Sequence, residues 1–170
     1  MKIMMFAPIC FLSICLKSSG QDSSNLKRLS FKLRMPIDNN SVYTADIPST
    51  PYVLPDNSIQ LYPGENLYVK VDQLDGKITG LHAISQIEDS SSTLIITFSQ
   101  ATAGNAHQSM LLKIVNPFAF DLQYTARMLT LNKKWVYTDV LPVRAQLASF
   151  ETWPNVIVSI ALGDWKFKAK

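Results

Sequence analysis

Apolar and polar residues alternate with a period of two along most of the chain. Leu29, Phe31 and Leu33 alternate with Ser30, Lys32 and Arg34, the pattern of a strand with one buried face. Ile59 and Leu61 repeat it, and Leu67, Val69 and Val71 alternate with Tyr68, Lys70 and Asp72. Leu94, Ile96 and Phe98 point one way, Ile95 and Thr97 the other. Leu122, Tyr124, Ala126 and Met128 alternate with Gln123, Thr125 and Arg127 until Leu129 breaks the period, which predicts a strand end or bulge. Val156, Val158, Ile160 and Leu162 form one face of a late strand, and Trp165 and Phe167 close the chain. Met110 to Val115 is apolar except for Lys113, which predicts burial on both faces.

Turn residues punctuate these runs. Met35-Pro36 is expected to end the first strand, because proline cannot donate to a ladder. Residues 36–58 read as a long proline-rich connection with one edge strand around Val42 to Ile47. Pro63-Gly64 suits the two central positions of a turn. Asp75-Gly76 turns the chain again before a strand over Ile78 to Ile84. Glu88 to Ser92 reads as a polar loop and Ala101 to His107 as a small-residue loop. Asn116-Pro117 breaks the chain, Leu131 to Lys134 reads as a hairpin connection into Trp135 to Tyr137, and Gly163-Asp164 as a tight turn or bulge. No stretch sustains a 3.6 period, and Gln146 to Glu151 amounts to one helical turn at most. The pattern predicts an all-β fold: a two-sheet antiparallel sandwich, immunoglobulin-like, of seven to nine strands. A small closed β-barrel is the alternative.

The N-terminus reads as a leader. Lys2 supplies a positive charge, Ile3 to Leu16 is uncharged, and Ser18-Ser19-Gly20 places small residues before a cut after Gly20. The apolar run is too short to span a bilayer. Residues 1–20 are thus expected to be a signal peptide and residues 21–170 a single secreted domain. A second route competes: Leu12-Ser13-Ile14-Cys15 is similar to a lipobox, which would anchor a lipoprotein through Cys15. The only other cysteine, Cys10, also lies in the leader, so the mature domain has no disulfide and depends on its core. A disulfide-free exported chain suits a bacterial periplasm or an extracellular surface.

Charge excludes one class of partner. Without Lys2 and Lys17 the mature chain has 14 basic and 13 acidic residues, net +1. The positive residues are scattered, and the terminal Lys166, Lys168 and Lys170 alternate as on a solvated or protected edge. No nucleic-acid partner is expected, and no transmembrane helix in the mature chain.

Candidate chemistry is sparse. His82, His107 and Met110 could form a copper-handling set, pairing imidazole nitrogen with soft sulfur, although methionine at an apolar strand position is ordinary core filler. Serines are plentiful, but no Gly-x-Ser-x-Gly elbow is present. Glu65 is expected to solvate its turn, and nothing pairs Glu65, Glu88 and Glu151 as acid and base. No cofactor is expected, and the chain reads as a non-enzyme; a hydrolase with an unrecognised site is the remaining alternative. Leu141 to Pro154 carries more interest. Arg144, Phe150 and Trp153, with Trp135 and Tyr137 just upstream, have the composition of a recognition surface. The competing reading is a buried sandwich corner in which Arg144 pairs with Glu151.

Leu111 to Met128, with Asn116-Pro117 and Tyr124-x-Ala126-x-Met128, resembles uncharacterised bacterial secreted proteins with immunoglobulin-like sandwiches. Pro142-Val143-Arg144 through Glu151-Thr152-Trp153-Pro154, followed by an apolar strand, is similar to their C-terminal part. The resemblance covers roughly residues 111–170. It implies the sandwich and the exported compartment, and brings no site residue with it. The function these readings favour is an exported non-enzymatic binding or accessory module whose partner is another protein or an envelope component.

Overall fold

The computed structural model describes residues 26–168, so the leader, its cleavage site and Cys15 lie outside the described residues. The described chain is all-β. In order, its strands are β1 (Phe31–Asp38), β2 (Ser41–Ile47), β3 (Ile59–Leu61), β4 (Glu65–Leu74), β5 (Lys77–Ile84) and β6 (Thr93–Ala103). They continue with β7 (Ala106–Val115), β8 (Leu122–Thr130), β9 (Trp135–Thr138), β10 (Ala148–Trp153) and β11 (Ile157–Phe167). One sheet has five strands in the order β10-β7-β6-β4-β5, a second has four in the order β3-β11-β8-β9, and β1-β2 is a separate hairpin. All pairings are antiparallel. The sheets do not close into a barrel, so the architecture is the sandwich. Its two sheets hold nine strands, and the hairpin is an addition to them.

The period-two pattern builds one core between the sheets. Leu67, Val69, Leu94, Ile96, Phe98, Leu112 and Ile114 from the five-stranded sheet share a buried cluster with Leu61, Leu122, Ala126, Ile160 and Leu162 from the four-stranded one. Each of these side chains other than that of Ala126 contributes about 1.5–3 kcal/mol on leaving water. Two-sided burial falls on a different strand from the one expected. Leu111, Lys113 and Val115 on β7 are only half-buried, whereas Ile157 to Leu162 on β11 are all buried. β11 is flanked by β3 and β8, and its outward Ser159 is bonded to Leu61 O and Gln60 Nε2.

Three local expectations are corrected. β1 runs through Pro36, which sits opposite Val42 with a register slip before Asp38. Proline is tolerated there because β1 has a ladder partner on one side only. Ala101 to His107 is not a loop: β6 and β7 continue to a short hairpin tip at Gly104, whose φ is +59°. Residues 148–153 form β10 rather than a helical turn, paired to β7 from Ala148↔Val115 to Trp153↔Met110. The expected turn at Pro63-Gly64 is present, with Glu65 N donating to Tyr62 O and Gly64 at φ +98°. It carries the chain between sheets rather than closing a hairpin, since β3 and β4 belong to different ones.

One flank of the sandwich is stitched shut. The base of the β1-β2 hairpin continues as a ribbon, Leu26 to Arg28 beside Thr50 to Tyr52. Leu26 N donates to Ala83 O on β5, and Val53 bridges to Ile59 on β3. Arg28 holds this seam from inside, its side chain 1% exposed. Its Nε and Nη2 donate to the two Glu65 carboxylate oxygens at 2.8 and 3.2 Å, Nη1 to Thr50 Oγ1, and Nη2 also to Gln60 O. The guanidinium carbon lies 4.5 Å from the Tyr52 ring centre and 5.0 Å from that of Tyr62. Glu65 therefore does not solvate its turn; it is the buried counter-charge. Breaking a buried pair by removing one partner leaves an uncompensated charge and costs about 3–5 kcal/mol. Urea unfolding of Glu65→Leu and Arg28→Met should each show a loss of that order. The double variant Arg28→Met/Glu65→Leu should lose clearly less than the sum, and strict additivity would remove the pair from this role.

Candidate functional site

The structure distributes the five sequence-predicted contact residues over several places. Trp135 and Tyr137 on β9 pair with Leu129 and Arg127 on β8. Trp135, Tyr137 and Arg127 face outward, since the alternate residue Ala126 is buried, whereas Leu129, beside a register slip, packs partly against the core. Tyr137 is 77% exposed and Trp135 44%. Phe150 is also exposed, but it pairs with Lys113 on the outer face of the other sheet, where the ammonium lies 5.8 Å from its ring centre. Trp153 is half-buried and points inward between the two edge strands, its Nε1 donating to Thr138 Oγ1 at 3.1 Å. Arg144 does not pair with Glu151. It donates to Asp121 Oδ2 at 3.0 Å, while Glu151 Oε1 accepts from Leu141 N. The five residues therefore form no single patch, and only Trp135 and Tyr137 share an outward face.

The copper set does not assemble. His82 lies opposite Lys70, which lies opposite Thr93 on β6; His107 lies opposite Thr102 on the same strand. The histidines are thus three strands apart, roughly 14 Å, and displaced by roughly 30 Å along the sheet at ordinary strand spacings. His107 is also committed: its Nδ1 accepts from Gln100 Nε2 at 2.9 Å and its Nε2 donates to Pro154 O at 3.0 Å. Gln100 donates to Pro36 O as well, which fixes the amide orientation and hence this tautomer. Met110 is fully buried in the core. No group of three or more His, Cys, Asp or Glu that could hold a metal occurs among the described residues.

A different site emerges around β11. Its outward residues Ala161 and Gly163 lie opposite Arg127 and Thr125 on β8. Both are small, so the middle of this sheet face is low. Tyr137, Arg127 and Thr125 rise on one side, and the turn carrying Asp56 and Ser58 rises on the other. Between them is a depression of about 250 Å³. A second, of about 190 Å³, adjoins it and shares Thr125 and Asp164. Val140, Pro142, Gln123 and Lys166 complete the second hollow.

Backbone irregularity creates these hollows. The β11–β8 register slips between Gly163 and Lys166. Asp164 sits at φ +52°, a conformation uncommon outside glycine. This bulge re-aims the Asp164 side chain onto the outer face, where its Oδ2 accepts from Thr125 Oγ1 at 2.8 Å. On the other side of β8, pairing with β9 stops at Ala126↔Thr138 and resumes only at Leu122↔Val143. Behind the gap, Tyr124 stacks on Trp165 with ring centres 5.1 Å apart, which makes a firm back wall.

The groove is polar and balanced in charge. Asp56 and Asp164 oppose Arg127 and Lys166. Asp56 accepts from the Ser58 hydroxyl at 2.6 Å and from its amide at 3.0 Å. These bonds, the hydroxyl first, hold its carboxyl below the usual carboxylate range. Arg127 lies 5.9 Å from the Tyr137 ring centre and braces one side of it. Ser58 and Thr125 spend their protons on Asp56 and Asp164, both histidines lie on the other sheet, and Asp56 stays ionised near neutral pH.

No family model, curated protein or solved structure matches the chain. No helix among the described residues is long and apolar enough to cross a membrane.

Sequence reasoning marked Tyr137, Trp135 and the Gly163-Asp164 bulge but not Asp56, Thr125 or Arg127 as parts of one site. Only the register of β11 between β3 and β8 brings them together. Carbon-detected NMR titration should place the Asp56 carboxyl below the ordinary aspartate value, and Ser58→Ala should move it up toward that value. By linkage, the Asp56–Ser58 turn adds stability above about pH 4, which is lost as the pH falls through the lowered value. A titration unchanged by Ser58→Ala would reject the bond as the cause.

Proposed function

We propose that the mature chain is an exported, non-enzymatic binding module that holds its partner in the groove on the outer face of the four-stranded sheet. The observation that carries this reading is the convergence of two adjoining hollows on one residue pair, Thr125 and Asp164, beside an aromatic ring that is 77% exposed. A non-glycine residue kept at positive φ is a feature that surrounding structure must maintain. Here it puts a carboxylate where both hollows meet. The uncharged run behind Lys2 and the small residues before Gln21 support export. A surface component of the producing cell's own envelope is the partner this setting favours.

Binding of labelled protein to the producing cell's envelope fraction tests the reading. Tyr137→Ala removes an exposed ring, and Asp164→Asn keeps a residue type that tolerates positive φ, so both variants should fold normally. Aromatic anchors at contact surfaces are worth about 2 kcal/mol, so Tyr137→Ala should weaken binding about thirtyfold, and Asp164→Asn should weaken it as well. Phe150→Ala, on the opposite outer face, should bind like the parent. Groove variants that bind as well as the parent, or a loss confined to Phe150→Ala, would sink the proposal.

A further inference from the structure

The geometry points to a neutral oligosaccharide as the ligand class of this groove, a step that rests on the binding reading above. Charge comes first. Two carboxylates, Asp56 and Asp164, and two cations, Arg127 and Lys166, line the joined hollows. A polyanion such as a nucleic acid or phosphorylated chain would meet both carboxylates, and a polycation would meet both basic groups. The lining instead offers charged donors and charged acceptors within the same pair of hollows. A sugar hydroxyl donates and accepts at the same oxygen, so a polyhydroxylated ligand can engage both kinds at once.

The aromatic wall adds the second half of sugar chemistry. Tyr137 is braced by Arg127 and otherwise open to solvent, next to the groove floor. A pyranose presents a face of axial C–H groups, weakly positive, that packs on the negative face of an aromatic ring. Trp135 stands two residues along the same strand on the same side, outside the two hollows. The low floor of Ala161 and Gly163 lets a ring lie flat beside them.

Topology disfavours the main competitor, an extended peptide. Peptides that join a sheet do so at an unpaired edge, through main-chain hydrogen bonds. The groove lies over β11 and β8, interior strands of their sheet, and β8 lacks its β9 partner only over Gln123 to Thr125, a stretch shorter than an ordinary strand. Two hollows in line, both open along the sheet face, suit successive units of a chain rather than a single enclosed small molecule.

The purified protein can be tested by affinity electrophoresis and calorimetry against neutral polysaccharides: mannan, dextran, β-1,3-glucan and xylan. Heparin and polygalacturonate serve as charged comparators. At least one neutral polymer should bind, with less than a twofold change in affinity between low and high salt. Tyr137→Ala and Asp164→Asn should each weaken it at least tenfold, and Phe150→Ala should leave it unchanged. Gly163→Ala supplies a milder test. Its added methyl would sit in ordinary contact, 3.6 Å from Ser58 Cβ and 3.8 Å from Thr125 Oγ1, so the fold survives while the floor rises and binding falls severalfold.

Binding to heparin or polygalacturonate alone, or to none of the neutral polymers, overturns the neutral-oligosaccharide assignment. The envelope experiment then separates the two claims. If Tyr137→Ala and Asp164→Asn still release the protein from envelopes, the groove stands with another ligand; if they do not, both claims fall.

Discussion

The fold depends on a positive charge placed where water cannot reach it. Arg28 is enclosed by Glu65, Thr50, the Gln60 carbonyl and two tyrosine rings. Its partners come from the start of β4, from β3 and from the chain that follows β2. A lysine could not replace it, because one ammonium cannot supply a planar fork to a carboxylate while also reaching a hydroxyl and a carbonyl. The ring stacking has the same requirement for a flat cation. Satisfying all these bonds together fixes where the two sheets sit on one flank, so the rest of the sandwich inherits its alignment from that point.

The two flanks then differ in kind. On one side the ribbon of Leu26 to Arg28 and Thr50 to Val53 carries hydrogen bonds from β5 across to β3. On the other, the edge strands β9 and β10 meet through side chains, Trp153 to Thr138, and through Glu151 receiving the Leu141 amide. Regular pairing around β8 fails near Tyr124 on both sides. Irregularity of this sort costs ladder hydrogen bonds, and here it coincides with the only outward aspartate at positive φ on β11. Rigid seam and irregular face are complementary: the first keeps the sheets in place while the second is free to carry shape.

The amino-acid sequence made the strands legible because each buries alternate residues against one core, and that signal is local. Leu67, Val69 and Val71, or Leu122, Tyr124 and Ala126, need no knowledge of their neighbours. Pro36 misled because the rule against proline in ladders holds for strands paired on both sides, and β1 has a single partner. Glu65 misled because a glutamate after Pro-Gly is usually solvated, and its counter-charge stands 37 residues away. Grouping Trp135, Tyr137, Arg144, Phe150 and Trp153 by nearness in sequence failed for a related reason. The chain crosses from one sheet to the other between β9 and β10, so residues a dozen positions apart finish on opposite surfaces. Asp56 and Arg127 meet at the groove only through the return of β11 beside β3, a pairing that no local pattern encodes.

That return has a consequence for the order in which the molecule can come into being. β11, the final strand described, is an interior strand of its sheet, with β3 and β8 hydrogen-bonded to either side. A polypeptide emerging from its N-terminal end therefore has nothing to join β3 to β8 until β11 has emerged, and both strands wait with an open edge. The same late strand supplies the floor of the groove. A product terminated before β11 would thus lack both the strand that completes this sheet and the floor of the groove.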